Sequence, residues 1–311
     1  MFATPTSDGC GNGGVARMTR TGLVAVLALL LLALALPRGA RAEDGGPLAE
    51  FYSYLPAAPD LHLPEIDIPF WTDDFKKGKK AYKNGNYARA LKYLRLASDD
   101  GNIAADWYLG HMYRTGRGVP RDDATAYSYY SRVADLYDPE EPDPKRLRIC
   151  VDALVRIADY QRTGIPAAGV ARDPAAAART YLKIATTYGH PAAQFALGIM
   201  NIGGEGVKQN PQQGLKWLIA AARKRHAPSE AYLGDLYWAG KLVRLDRTRA
   251  VMWYILAQQS ARPEENPEIF DTFDRLVASV SDDERLEAEA RARVWADQYP
   301  AQPNRSASAE Q

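Results

Sequence analysis

The chain has 311 residues, of which 39 are basic and 38 acidic, for a formal net charge of +1, and 46% are hydrophobic. So balanced a charge offers no electrostatic pull to nucleic acid or to an anionic membrane surface. Two cysteines, Cys10 and Cys150, are the whole thiol inventory.

At the N-terminus Arg17 and Arg20 precede an apolar run from Leu23 to Leu36, which ends at Pro37 and the small-residue site Ala40-Arg41-Ala42. This order predicts a secretory signal peptide over 1–42, cut after Ala42. The apolar run has 14 residues, short of the roughly 20 that span a bilayer. The mature chain is therefore expected to have no direct membrane insertion; an uncleaved anchor is the alternative. No cysteine follows the run, which argues against a lipoprotein, and Met18 is an alternative start. Removing 1–42 leaves 35 basic and 37 acidic residues, a net charge of −2. Cys150 is then the only thiol, so stability has to come from packing and not from internal disulfides.

Residues 43–71 hold Pro47, Pro56, Pro59, Pro64 and Pro69 among Phe51, Tyr52, Tyr54, Phe70 and Trp71. Prolines at this spacing prevent a helix, so the segment reads as an extended arm, with disorder as the alternative. Its aromatics suit docking on the body of the chain or on a partner. Thr72-Asp73-Asp74 is an N-cap signal opening a helical hairpin over 75–98. Gly85-Asn86 makes its turn, and Tyr82, Tyr87, Ala90, Tyr93, Leu94 and Ala97 are its apolar positions.

From here a pattern repeats. It reads Gly110, Gly116, Val119, Asp122, Ala126, Tyr129, Val133; then Gly198, Gly204, Val207, Asn210, Gly214, Trp217, Ala221; then Gly234, Gly240, Val243, Asp246, Ala250, Trp253, Ala257. A weaker copy runs Ala158, Gly164, Val170, Asp173, Ala177, Ile184, with three extra residues before Val170. Gly198 and Gly234 are 36 residues apart, a helical-repeat period. The repeats are expected over about 101–135, to Tyr188, over Gly189–Arg225, and from His226 to about Ser260. The acidic, proline-rich stretch Asp138–Pro144 interrupts the first two, with helix resuming near Lys145. Beyond, residues 268–279 read as helix, and Ser281-Asp-Asp-Glu284 is a capping box for a charged helix to about Tyr299. A polar tail, 300–311, follows.

Each repeated residue type has a packing reason. The first glycine sits mid-helix, where it is tolerated if another backbone packs close. The second, at 116, 164, 204 and 240, ends the first helix in a left-handed conformation. Asp122, Asp173, Asn210 and Asp246 cap the second helix. Tyr129, Trp217 and Trp253 fill the groove between hairpins. The expected fold is all-α: a right-handed α-solenoid over 72–260, closed by capping helices over 261–299.

Leu109-Gly110-His-Met-Tyr113, Gly116-Arg-Gly118-Val119 and Leu197-Gly198 with Gly204-Glu-Gly206-Val207 resemble Sel1-like repeats, a branch of the tetratricopeptide (TPR-like) class. The N-terminal signal, the proline arm and the hairpin Tyr82-Lys-Asn-Gly-Asn-Tyr-Ala-Arg-Ala90 come in a suggestive order. They are followed by Ala153-Leu-Val-Arg-Ile-Ala-Asp-Tyr-Gln-Arg-Thr-Gly-Ile-Pro166 and then by Ala193-Gln-Phe-Ala-Leu-Gly198 and Leu215-Lys-Trp-Leu218. This order is similar to that of the ExoR family of periplasmic regulators of alphaproteobacteria. The resemblance implies a periplasmic protein that binds the extracytoplasmic domain of a membrane sensor kinase (ExoS–ChvI type) and holds it inactive, with effects on exopolysaccharide and motility. A structural scaffold in an envelope polysaccharide export assembly is the alternative.

Nothing in the sequence points to chemistry, so no catalytic, cofactor-binding or metal residue is expected. There is no HExxH, no Cys/His cluster and no phosphate loop. Gly203-Gly204-Glu205-Gly206 has no preceding strand, and the repeat explains its turn glycines. Of the four histidines, His62 has no partner carboxylate at ligand spacing. His190 and His226 share a slot, filled by Asn102 in the first repeat, that suits capping or bridging the next helix. In solenoids of this class the first helix of each hairpin lines the concave side. Positions two before and one after the first repeated glycine lie on one face. They read Tyr108 and His111, Arg156 and Asp159, Ala196 and Ile199, Tyr232 and Asp235. Exposed Tyr and Arg are favoured interface anchors. Tyr108, His111, Arg156, Asp159, Tyr232 and Asp235 are therefore the candidate residues for a protein partner; partial burial of the tyrosines is the alternative.

Overall fold

A computed structural model describes residues 73–263 and 265–301. The expected signal peptide, the proline-rich arm and residues 302–311 lie outside the described residues. Twelve α-helices account for the described residues, in chain order α1 (Asp73–Lys83), α2 (Tyr87–Asp99), α3 (Ile103–Thr115), α4 (Asp123–Ala134), α5 (Pro144–Thr163), α6 (Pro174–Thr187), α7 (Pro191–Gly203), α8 (Pro211–Ala222), α9 (Ala227–Ala239), α10 (Arg247–Ser260), α11 (Pro267–Val277) and α12 (Asp282–Gln298). They pair as five hairpins, α1/α2 through α9/α10, each stacked on the next, and α11 and α12 both pack on α10. This is an α-solenoid with a helical cap, as the repeat pattern predicts.

The repeated polar residues do what their positions demand. Asp122 accepts from the Ala124 and Thr125 amides, Asp173 from Ala176, Asn210 from Gln213 and Asp246 from Arg249. Gly116, Gly204 and Gly240 are left-handed, with φ of 72°, 74° and 63°. Gly164 is not; its ψ is 155°. The three extra residues explain this, because they form a short 3-10 turn, Pro166–Ala168, pinched by a bridge between Ile165 and Val170. The proline-rich break likewise does local work: Asp143 caps α5, whose first residue is Pro144, and Glu141 pairs with Arg146 at 2.9 Å.

Two packing expectations shift by one residue or one atom type. The first glycine of each repeat faces mainly a side chain of its own second helix. A Cβ on Gly110 would stand 3.2 Å from the Tyr130 ring, and on Gly234 2.5 Å from Tyr254. Close backbone approach is part of the reason at Gly198, where a Cβ on the facing Gly214 would lie 2.6 Å from the Gly198 carbonyl, and at Gly234, whose Cβ would lie 3.2 Å from the Ala250 carbonyl. The groove-filling residues are Tyr130, Tyr181, Leu218 and Tyr254, all buried; Tyr130, Leu218 and Tyr254 stand one position after the repeated aromatic. Tyr129 and Trp217 are half-buried on the flank of the core; Trp253 alone is buried as expected. The outer face of α12 is charged, as a solenoid end requires, apart from exposed Leu286 and Val294.

Candidate partner-binding face

Side chains of successive first helices touch across each repeat boundary, so the first-helix face is one continuous surface. It begins with Phe75 and Tyr82 of α1, whose rings meet Tyr108 of α3 edge-on at centroid distances of 5.9 and 5.2 Å. Trp107 stacks on His111, one turn on, at 5.6 Å with planes 3° apart. The Trp107 indole N–H donates to Asp152 of α5 at 2.6 Å. Asp152 also faces Arg156 at 3.4 Å and His190, at the start of α7, at 3.5 Å. Phe195 of α7 then packs on His226 and on Tyr232 of α9, at 5.4 and 6.1 Å.

The structure therefore joins Tyr108, His111, Arg156 and Asp159 on α3 and α5, and links them through His190 and Phe195 to Tyr232. Asp235, one turn along α9, is exposed. Arg156, Asp159 and Asp235 have internal partners; Arg156 lies 3.4 Å from both Asp152 and Asp159. Asp159 accepts from the Tyr181 hydroxyl at 2.5 Å, and Asp235 from Tyr254 at 2.6 Å. A rule follows for the repeat: where the residue after the first glycine position is a carboxylate, the facing second helix offers a tyrosine. Where it is Ile199, the helix offers Leu218. His190 and His226 make no capping bond. His190 bridges to Asp152, and His226 Nδ1 pairs with Ser229 Oγ at 2.8 Å.

Electrostatics concentrate at the α3–α5 boundary. Burial raises the Asp152 carboxyl, but Arg156, His190 and the Trp107 bond outweigh it and hold it well below the usual carboxylate range. Asp152 in turn holds the Arg156 guanidinium charged. His111 is pushed down to about 3, first by burial and then by the cations of Arg114, Arg156 and Arg117. It is thus neutral at pH 7. Burial raises the Tyr130 hydroxyl to about 12. Among the described residues no group of His, Cys, Asp and Glu is arranged to hold a metal, and no helix is long and apolar enough to cross a membrane.

Sequence reasoning missed Trp107, Arg114, Asp152 and Phe195; it assigns His190 to capping or bridging the next helix, and the bridge to Asp152 is what forms. The signal was present. Extending the chosen stripe one turn in each direction, at i±3 and i±4, reaches Trp107 and Phe195 three residues before the repeat position, Asp152 six before, and Arg114 four after.

The Sel1 repeat family model matches residues 77–102, 103–138, 151–187, 191–226 and 227–257. A protein of Rhizobium meliloti (strain 1021) named "Exopolysaccharide production negative regulator" is 32% identical over 267 residues, covering 86% of this chain and 93% of that protein. One of the same name from Rhizobium leguminosarum bv. viciae is 38% identical over 164 residues, covering 53% of this chain and 61% of the relative, so that match spans less than two thirds of the relative's length. Among solved structures, a Sel1 repeat protein from Oxalobacter formigenes is 24% identical with a TM-score of 0.47, covering 71% of this chain and 87% of that one. A protective antigen of uropathogenic Escherichia coli with an SLR fold is 19% identical with a TM-score of 0.35, covering 73% and 61%. The chain belongs to the Sel1-repeat family and, within it, to the family of these exopolysaccharide production negative regulators.

Proposed function

We propose that this Sel1-repeat protein is a negative regulator of exopolysaccharide production, acting in the periplasm by binding the extracytoplasmic domain of a membrane sensor kinase and holding it inactive. The observation that carries the reading is the match to the Rhizobium meliloti regulator over 93% of that protein's length. Two features of the chain support it. The N-terminal sequence has the order of an export signal. The first-helix face is a continuous run of aromatic and charged side chains.

In this reading the kinase domain lies along the first-helix face, with Tyr108, Trp107, Phe195 and Tyr232 as anchors and Arg156 and Asp159 setting register. The test is deletion of the chain with regulator phosphorylation and polymer measured together. A repressor predicts that both rise and that motility changes with them. Reduced polymer with unaltered phosphorylation would replace the repressor with a scaffold of an export assembly. Purification of the mature protein should give an N-terminus at Glu43; one that still carries Leu23–Leu36 contradicts the periplasmic assignment.

A further inference from the structure

We infer that the outward face of α12 is a self-association surface, on which a second copy of this chain docks through its own α12 in antiparallel orientation. That face shares no residue with the first-helix surface and does not depend on the kinase reading.

α12 packs on α10 and buries Ala288 and Ala292. Ala290 stands two residues from each, about 200° round the helix, and so points away from the fold. Leu286 and Val294, four residues before and after it, lie on the same outward row. They are the two most exposed large apolar side chains among the described residues, at 56% and 68%. The last helix of a solenoid needs a polar outer face, so the fold itself gives no reason for an apolar row here.

The charges beside the row are arranged about the same centre. From Leu286 to Val294 the sequence is Leu-Glu-Ala-Glu-Ala-Arg-Ala-Arg-Val, with both acids before Ala290 and both bases after it. Glu287 and Arg291 lie on one flank of the row, Glu289 and Arg293 on the other. A second α12 laid antiparallel across Ala290 brings Leu286 of each copy beside Val294 of the other. It also sets Glu287 beside Arg291 and Glu289 beside Arg293, and such flanking pairs fix helix orientation. A parallel copy would set Glu287 beside Glu289 and Arg291 beside Arg293. The helix is therefore self-complementary in one direction. Within the chain, Glu287 and Arg291 form an exposed pair at 2.5 Å, worth little in water. Arg293 reaches the Glu289 carbonyl at 3.4 Å, and neither carries an ion pair among the described residues.

A small residue at the crossing lets the axes approach to about 8 Å, and rows spaced by four interlock when helices cross at about 50°. Asp283 and Asp297, about 10 Å along the axis from the crossing, diverge at that angle. Beside the row, Ala290 and Val294 form one wall of an open groove of about 630 Å³ whose rim includes Arg223. The acidic first turn of an antiparallel copy, Asp282, Asp283 and Glu284, runs toward that rim. One helix crossing buries less than the roughly 1,200 Å² at which standard interfaces begin, so the dimer is reversible and depends on concentration. It holds two first-helix faces in one particle, which raises avidity for a paired partner.

The mature full-length chain would be followed by sedimentation velocity over a concentration series, with a monomer–dimer equilibrium expected. Ala290→Arg sets like charges at the crossing and should weaken the dimer about 100-fold or more. A variant with Glu287→Arg and Glu289→Arg should be monomeric, as should one with Arg291→Glu and Arg293→Glu. Mixed, the two should form a heterodimer at least as tight as the wild-type dimer. Under oxidation Ala290→Cys should cross-link to itself. Leu286→Cys should not, because antiparallel copies hold its two positions about 12 Å apart. Circular dichroism confirms that each variant keeps its helices. A wild-type chain that stays monomeric at every concentration overturns the inference. So does a dimer that survives Ala290→Arg and both charge reversals, since its contact then lies elsewhere. Failure of the mixed variants to associate, or self-cross-linking of Leu286→Cys, overturns the antiparallel pairing.

Discussion

At the scale of single residues, the repeat hides its most important position beside its most visible one. Tyr129, Trp217 and Trp253 recur at a fixed offset, yet of the three only Trp253 is buried, while their neighbours Tyr130, Leu218 and Tyr254 all are. Adjacent helix positions differ by about 100° in direction. A recurring aromatic therefore shows that a helix packs, but not which of two neighbours points into the groove. Leu218 is fully buried against the Gly198 backbone, so Leu218→Ala should cost about 2–5 kcal/mol and Tyr130→Ala about 3–5. Trp217→Ala should cost less than either, because Trp217 lies on the flank of its cluster. Urea midpoints of the three variants order them directly. A Trp217→Ala loss as large as that of Leu218→Ala would contradict this packing.

At the scale of the element, the turn between the two helices of a hairpin was legible in the sequence, and its copy in the fourth repeat is informative. Gly118 and Gly206 sit two residues after the left-handed cap, at φ of 74° and 69°. A Cβ on Gly206 would stand 2.4 Å from the backbone of Pro174, the first residue of the preceding repeat's second helix; on Gly118 it would meet Tyr87, in the same relation, at the same distance. The slot therefore needs glycine twice over, for its conformation and for contact between repeats. In the fourth repeat Leu242 occupies it, with φ 66° and an exposed side chain. Leu242 carries the left-handed cost of roughly 1–2 kcal/mol in a turn whose side chain faces solvent. Gly206→Ala is thus expected to destabilise by more than about 1 kcal/mol, and Leu242→Gly to stabilise by up to about 1. Calorimetry of the two variants measures opposite shifts in Tm; a fall for Leu242→Gly would show that its side chain is needed.

At the scale of the whole molecule, hairpin number, caps and end closure could be read from the sequence because each is set within one repeat. The site could not be read completely, because it is made between repeats. Tyr108 and His111 were found on α3, but of the residues that join α3 to α5 and α7, Trp107 and Asp152 recur in no other copy, and His190 recurs only as His226, which makes a different contact. Periodicity is blind to positions that differ between copies, and the stacking that brings them together is a property of the assembled solenoid.

That assembly buries titratable groups of opposite pH response, and their sum gives the last prediction. His111 and His226 are held at about 3, chiefly by burial, against an ordinary value near 6.5 in the unfolded chain. Their neutral rings favour the fold fully above about pH 6.5, and that advantage is lost as the pH falls toward 3. Glu230 is wholly buried beside Arg225, at 2.9 Å. Burial raises its carboxyl to about 7 against the pull of Arg225. Its protonated form suits the fold, so this group opposes folding above about pH 7 and ceases to do so as the pH falls toward 4.5. From pH 7 to pH 5 each histidine withdraws on the order of 2 kcal/mol, and Glu230 returns on the order of 2. The net expectation is a loss of about 2 kcal/mol over that interval. Denaturant titrations at the two pH values should show it. Glu230→Gln removes the compensating group and should steepen the acid loss, whereas His226→Gln should flatten it. A wild-type stability that rises between pH 7 and pH 5, or an acid loss that Glu230→Gln makes shallower, would mean that these groups do not titrate as their burial requires.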